Sequence, residues 1–354
     1  MLHLAIELAE RRWLPDALVR AGIRALLRRR LRLHQHGDPE ADQAAFMHLI
    51  ERLRDDAIAV HTDEANLQHY ELPPAFFSLV LGPRCKYSSC YFPPGCTSLA
   101  AAEEHMLALT CQRAQLADGM DILELGCGWG SLTLWMAEKY PHSRITAVSN
   151  SRPQREFIMA RAAQRGFSHI NVITCDMNVF ETDQRFDRIV SVEMFEHMRN
   201  YRRLLARIAG WMRPDAKLFV HIFTHRSIAY LFETQGAHNW MGRYFFTGGV
   251  MPSDHLLLYF QEHVHIENMW TVSGVHYQRT ANAWLANCDA HRAEILPIMA
   301  ATYGTRDAAR WLQRWRMFFM ACAELWGFRR GTEWHVCHYL FSRRAQLWQP
   351  PELE

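Results

Sequence analysis

The sequence predicts a doubly wound α/β fold, and two observations carry the prediction. The first is Asp121-Ile-Leu-Glu-Leu-Gly-Cys-Gly-Trp-Gly130, a short apolar strand that runs straight into a turn carrying Gly126, Gly128 and Gly130. The second is the alternation of apolar runs with amphipathic segments from residue 98 onward, the pattern of a parallel sheet covered on both faces.

In chain order, residues 1 to about 70 read as helices, because apolar positions recur three and four apart in Leu14, Leu18, Ile23, Leu26 and Leu27, and again in Phe46, Leu49, Ile50 and Leu53. A Pro/Gly-rich passage from Pro73-Pro74 through Gly82-Pro83 to Pro93-Pro94-Gly95 leads into the main domain. There, helices over 98–115, 131–140, 153–165 and 200–212 alternate with strands over 121–125, 144–148, 171–174, 187–192 and 216–222. Beyond 222 come an aromatic-rich segment, a strand near 269–275, helices over about 280–327 and a closing strand over 334–342. The expected division is a helical extension and lead-in over 1–85, then a main domain over 86–354 with insertions at about 223–262 and 278–330.

A chain of 354 residues with 49% hydrophobic and 12% aromatic content supplies a sizeable core. A formal charge of +2 gives no reason to invoke nucleic acid. The first segment is locally basic, with eight arginines from Arg11 to Arg32, which reads as a solvated helical face or as a weak contact with a membrane surface. Nine cysteines, an odd number without a Cys-x-x-Cys pair, indicate neither a disulfide framework nor a thiolate zinc site, so a reducing cytoplasm is the simplest home. The N-terminus lacks a signal-peptide core, and no run reaches membrane-spanning length without charges. Oligomeric state stays open.

The glycine turn lets the main chain approach a ligand at a helix N-terminus. The second strand ends in Val148-Ser149-Asn150-Ser151, with Gln154 following; these uncharged groups suit ribose hydroxyls or an amino-acid moiety, and equally suit a helix cap. The third strand ends at Cys175-Asp176-Met177, where Asp176 is placed to accept from an adenine amino group and Met177 to pack on the ring. The fourth leads into Glu193-Met-Phe-Glu196-His197. Two carboxylates and a histidine past the carboxyl end of a central strand suit attraction of a cationic amine and uptake of its proton. The plainer alternative is a polar helix start with glutamates near the positive end of the dipole. The cluster lacks the two-His, i and i+4 pattern of a helical metal motif, so no metal is expected.

In order and spacing, the glycine turn, the polar cluster and Asp176 resemble class I S-adenosylmethionine-dependent methyltransferases. Tyr87-Ser-Ser-Cys-Tyr-Phe92, Leu123 to Gly130, Gln154, Glu193 to Tyr201, Phe219-Val-His-Ile222 and Arg243-Tyr-Phe-Phe-Thr-Gly-Gly look like the cyclopropane fatty acid synthase superfamily, and most like its coclaurine N-methyltransferase-like branch. The similarity runs from about residue 60 to 345. It implies a class I methyltransferase Rossmann-like doubly wound sheet with an antiparallel last strand, an N-terminal helical cap and helical insertions. It implies S-adenosyl-L-methionine as cofactor and S-adenosyl-L-homocysteine as product. By position, Tyr87 and Ser88 would bind the methionine part, Gly126 and Gly128 line the cofactor's backbone path, Ser149, Asn150 and Gln154 lie along the ribose, and Asp176 and Met177 hold adenine. Residues matching Glu193, Glu196 and His197 line the amine site in that branch, with Glu196 and His197 as the acid–base pair.

The resemblance offers two chemistries on one sulfonium: methylation of a small amine, or cyclopropane or C-methyl modification of an unsaturated acyl phospholipid. Cyclopropanation strips a proton from the new methyl, and the lipid enzymes are known for doing so with bound bicarbonate. Its usual holders are a cysteine in Tyr-Ser-Cys, a glutamate and a histidine at positions resembling Glu196 and His221, and a tyrosine on a late helix. Here Ser89 replaces the cysteine, and Met317 or Phe318 stands where the tyrosine is sought; neither donates as a phenol does. N-methylation is therefore the expected reaction, with a lipid acceptor as the alternative. A non-catalytic cofactor-binding protein is a third reading, against which the Glu193, Glu196 and His197 cluster argues. The tract Trp240, Tyr244, Phe245 and Phe246, with Trp334, is expected to supply an apolar pocket for a cationic substrate, part of it being core.

Overall fold

The computed structural model describes residues 2–35, 37–60 and 72–344; the helical reading of 61–70 lies outside the described residues. Five strands run parallel: β1 (Asp121–Leu125), β2 (Arg144–Ser149), β3 (Ile170–Thr174), β4 (Phe186–Val192) and β5 (Met212–His225). A two-stranded ladder, β6 (Tyr230–Leu231) with β7 (Val250–Met251), lies apart. The last two strands, β8 (Val264–Val272) and β9 (Trp334–Arg343), complete a seven-stranded sheet of order β3-β2-β1-β4-β5-β9-β8, in which β9 is antiparallel to both neighbours. The strand order reverses between β1 and β4, the switch point at which open α/β sheets hold ligands.

Among the described residues the α-helices are α1 (Leu2–Glu10), α2 (Asp16–His34), α3 (Pro39–Asp55), α4 (Pro74–Val80), α5 (Leu99–Arg113), α6 (Ser131–Lys139), α7 (Arg152–Gln164), α8 (Tyr201–Trp211), α9 (Trp240–Tyr244), α10 (Gly274–Ala290), α11 (Arg292–Tyr303) and α12 (Ala308–Trp326). Several starts are written locally. Asp38 accepts from Glu40 N ahead of α3, Ser98 from Ala101 N ahead of α5, and Asn200 from Arg203 N ahead of α8.

Three boundaries differ from expectation. β5 continues past Ile222 because it pairs with β9 as far as His225↔Trp334, and its polar end is engaged inside: Thr224 Oγ1 donates to Asp254 at 2.6 Å, and His225 Nδ1 accepts from Ser227 N and Ile228 N at 3.0 Å. β8 lies earlier than 269–275 because Ser273 accepts from Val275 N and starts α10 there. The helical stretch to 327 is three helices, broken at His291 and Gly304.

The basic N-terminal segment is partly committed to packing. Arg20 and Arg24 donate to the two oxygens of Glu324 on α12, at 2.9 and 2.7 Å, and Arg316 of α12 bridges Asp16 and Asp289. Buried Glu10 ends α1 by accepting from Trp240 Nε1 at 2.8 Å, Arg310 Nε at 2.7 Å and Arg314 at 3.0 Å. The helical cap is thus fastened by charge to the segments that follow β5. No helix among the described residues is long and apolar enough to cross a membrane.

Candidate active site

The turn after β1 is tied to β2 by two bonds, Gly126 N and Cys127 N both donating to Val148 O at 3.0 Å. Gly126 (φ 81°) has no room for a side chain, since a Cβ there would lie 2.6 Å from Met194 Cβ. Gly128 (φ 51°) differs: a Cβ would meet nothing within 4 Å and would stand in the open cleft.

That cleft, about 780 Å³ with its mouth, is lined by Gly126, Gly128, Ser149, Asn150, Gln154, Asp176, Met177, Glu193 and His197. A second cavity, about 590 Å³ with its mouth, shares Gly126, Gly128 and Glu193 with it and adds Tyr87, Ser88, Trp129 and Ser131. The structure therefore gathers the residues singled out for the cofactor along one two-part cleft. Some are already engaged. Ser149 Oγ donates to Gln154 Oε1 at 2.6 Å and accepts from Ser151 N, while Ser151 caps α7, so the polar cluster is both cleft wall and helix cap. Asp176 accepts from Asn178 N at 2.6 Å. Buried Gln154 Nε2, Trp129 Nε1 and Ser131 Oγ have no protein partner. Orphaned donors beside an open glycine cradle fit a polar, extended ligand such as an adenosyl amino acid.

At the junction of the two cavities stands Glu193, held at φ 50°, a left-handed conformation uncommon for a side-chain-bearing residue and one that marks functional turns. Its Oε1 accepts from Ser89 N at 2.8 Å and from His221 Nε2 at 3.1 Å; its Oε2 accepts from Tyr277 Oη at 2.6 Å. This is an anion cradle filled by the protein's own carboxylate. Behind it, His221 Nδ1 meets His338 Nε2 at 2.9 Å, and His338 Nδ1 meets Arg113 at 2.8 Å. Arginine only donates, so His338 Nδ1 accepts, His338 Nε2–H donates to His221 Nδ1, and His221 Nε2–H donates to Glu193. Burial holds both imidazoles well below the usual histidine range, hence neutral, consistent with those tautomers.

Glu196 and His197 diverge. The 3₁₀ turn Phe195–His197 sends Glu196, fully buried, toward β5, where its Oε1 accepts from Phe223 N at 2.7 Å and its Oε2 has no partner. Burial, then the neighbouring Glu193 charge, push its carboxyl well above the ordinary range, which favours its protonated form. Burial also raises Glu193, but Lys86, Ser89 N and Tyr277 oppose that rise; of the two it is the anion. His197 faces the cleft, and burial lowers it to about 4 against the pull of Glu193, leaving a neutral imidazole.

Of the aromatic tract, only Phe246 reaches this region. Phe245 and Trp334 are fully buried, Trp240 is bound to Glu10, and Tyr244 packs on Trp311 under Arg314. A run of ring contacts instead links the two ends of the site: His197 to Phe246 (4.6 Å between centroids), Phe246 to Phe223 (5.6 Å), Phe223 to Trp326 (5.2 Å), and Trp326 stacked on Tyr277 at 4.7 Å. Sequence reasoning missed Tyr277. It sought the phenol among Met317 and Phe318 on α12, where Phe318 stacks on Phe245 in the core, whereas α10 supplies it.

The described residues also bring Asp254, His335 and Cys337 together at metal-ligand separations. They bond one another: Asp254 Oδ1 lies 2.9 Å from His335 Nε2 and 3.4 Å from Cys337 Sγ, with Thr224 on the same oxygen. The cluster pins the 252–256 loop to β5 and β9.

The family model for mycolic acid cyclopropane synthetase matches residues 59–337. An (S)-coclaurine N-methyltransferase of Thalictrum flavum subsp. glaucum is 39% identical over 334 residues, 93% of this chain and 92% of that protein. The (S)-coclaurine N-methyltransferase of Papaver somniferum is 36% identical over 94% of this chain and 95% of its own. A crystal structure of coclaurine N-methyltransferase bound to N-methylheliamine and SAH superposes with a TM-score of 0.92 at 36% identity, covering 96% of this chain and 98% of that one. With the sheet order, the glycine cleft and a model matched over most of its length, the chain belongs to the mycolic acid cyclopropane synthetase family and has the class I methyltransferase fold.

Proposed function

We infer that this protein is an S-adenosylmethionine-dependent methyltransferase that transfers the methyl group to the nitrogen of a small amine. The observation that carries the reading is the convergence of anionic Glu193 and neutral His197 on the cleft that Gly126, Gly128, Gln154 and Asp176 line. Similarity to amine N-methyltransferases over more than nine-tenths of the chain supports it.

The cofactor supplies an electrophilic methyl group on a sulfonium. Glu193, fixed by three donors, draws a cationic amine by its charge. His197, neutral and facing the same cleft, takes a proton from the bound amine before the N–C bond forms, which frees the nitrogen lone pair to attack the methyl carbon. Glu196 lies behind His197; through Phe223 N it positions one ring of the aromatic run. Half-buried Phe246, its ring 4.6 Å from that of His197, adds an aromatic face suited to a positively charged acceptor. A lipid acceptor is the less favoured alternative, since three donors of the anion cradle already serve Glu193.

Residues 1–85 serve as a helical cap and 86–354 as the catalytic domain. Nine unpaired cysteines support a cytoplasmic home. Exposed Trp13, Leu18 and Leu33, interspersed in sequence with exposed Arg28, Arg29 and Arg32, support a weak membrane-surface contact, which co-sedimentation with anionic vesicles tests.

The test is incubation of purified protein with methyl-labelled cofactor and a panel of secondary and tertiary amines, with unsaturated phospholipid vesicles in parallel. Label in an amine, independent of added bicarbonate, is the expected result. Bicarbonate-dependent label in the phospholipid overturns the choice of acceptor.

A further inference from the structure

Lys86 is 3% exposed, and its Nζ donates to Ser88 Oγ. Among the described residues no carboxylate forms an ion pair with it. The two nearby acids are otherwise engaged: Glu103 accepts from the main-chain N–H groups of Arg84 and Lys86 at 2.9 and 3.0 Å, and Glu193 accepts from Ser89, His221 and Tyr277. They act on Lys86 only through the field. Burial lowers the pKa of Lys86, with the fields of Cys90, Glu193 and Glu103 opposing, so an ammonium held there without a paired carboxylate is stabilised by an anionic ligand beside it.

The hydrogen-bond chemistry is directional. An ammonium only donates, so Ser88 Oγ must accept from Lys86, and the hydroxyl hydrogen of Ser88 is turned to another acceptor. Lys86 and Ser88 both line the smaller cavity, with Tyr87, Gly126 and Gly128. That end of the cleft therefore presents a hydroxyl donor backed by a positive charge, a combination suited to an anion. The other end, with Asp176 and the uncharged Ser149, Asn150 and Gln154, offers no lysine or arginine among the described residues. A ligand laid along the glycine turn with its sulfonium toward Glu193 carries one anionic group, the carboxylate of its amino-acid end.

We propose that Lys86, acting through Ser88, recognises the α-carboxylate of the cofactor's amino-acid end. Lys86 is a positioning residue: it orients the Ser88 hydroxyl and adds the charge that makes this end of the cleft select an anion. The proposal rests on the S-adenosylmethionine reading of the cleft.

The test compares two ligands by calorimetry on the full chain. S-adenosylhomocysteine carries the carboxylate, whereas 5′-deoxy-5′-methylthioadenosine keeps the adenosine and sulfur but lacks the amino-acid end. Lys86→Met should weaken S-adenosylhomocysteine about 10- to 100-fold, the loss expected of a charge-assisted hydrogen bond, and methylthioadenosine less than about twofold. Should Lys86→Met fail to fold, Ser88→Ala carries the same comparison and the same expected ratio. An equal loss for both ligands, or no loss for either, overturns the proposal. So does an unchanged affinity ratio accompanied by a shifted pH profile of methyl transfer, which would make Lys86 a counter-ion of Glu193. Wild-type protein that binds neither ligand overturns the cofactor reading and this proposal with it; wild type that binds both, with the ratio unchanged in the variants, overturns the proposal alone.

Discussion

His221 donates through Nε2 to Glu193 Oε1 at 3.1 Å, and the direction of that bond is set 225 positions away from His338 in sequence, where Arg113 donates to His338. The carboxylate is held from one side by this chain and from the other by Tyr277. It is a fixed charge, with three of its four lone pairs occupied by the protein.

Removing the Tyr277 phenol therefore frees Oε2 without touching the cofactor cleft. Tyr277→Phe should lower kcat about 10- to 100-fold, as loss of a hydrogen bond to a charged group predicts, with S-adenosylhomocysteine affinity unchanged. Steady-state kinetics and calorimetry check it. An unchanged kcat would make the bond structural only.

His197→Ala should leave cofactor affinity nearly intact while methyl transfer drops by about 10²–10⁴, the range for a lost acid–base group. Burial holds His197 at about 4, so in the wild type the imidazole stays neutral well below its ordinary 6.5. The acid limb of kcat with a saturating amine should accordingly lie below about pH 5. A limb centred near 6.5, or an unaltered rate in the variant, removes His197 from proton transfer.

The sheet and its glycine turn were legible in the sequence because apolar runs of strand length end in residues that permit φ > 0. β8 was misplaced because Val264-His-Ile-Glu-Asn-Met is half-exposed at the sheet edge and carries little continuous apolar signal. The resemblance implies Glu196 and His197 as an acid–base pair, but no local pattern tells that the 3₁₀ turn sends Glu196 to Phe223 N in β5 while His197 lines the cleft. Tyr277, His338 and Arg113 join the site only through packing between distant elements, for which no local pattern exists. Lys86 went unread for a related reason: its burial, unlike its charge, is a tertiary property.

Gly128 and Gly126 should respond differently to alanine. Gly128→Ala places a methyl group in open cleft, with about 1–2 kcal/mol of left-handed backbone strain. It should bind S-adenosylhomocysteine at least tenfold more weakly while remaining folded. Gly126→Ala drives a Cβ to 2.6 Å from Met194 Cβ and should lower the thermal midpoint more than Gly128→Ala does. Equal melting of the two variants, with equal ligand affinity, would mean the cleft does not follow the glycine turn.

Glu124, on β1 beneath the smaller cavity, is 2% exposed and accepts from Thr133 Oγ1 at 2.5 Å. Burial raises its carboxyl to about 8, with the Thr133 bond opposing. The sign of the consequence follows from proton binding. Below the ordinary 4.5 the group is protonated whether the chain is folded or not, and its favourable contribution is complete. Between 4.5 and about 8 the unfolded chain ionises while the folded one keeps its proton, so stability is lost as pH rises through that window. Glu124→Gln keeps an oxygen acceptor for Thr133 and removes the titration. In the ligand-free protein the variant should gain on the wild type with rising pH, by up to about 1.4 kcal/mol per pH unit between pH 5 and 8 in urea unfolding. Comparing variant with wild type cancels the buried histidines, whose lowered values work in the opposite direction below about pH 6.5. A stability difference that stays flat from pH 5 to 8 would mean Glu124 ionises in the folded protein as readily as in the unfolded chain.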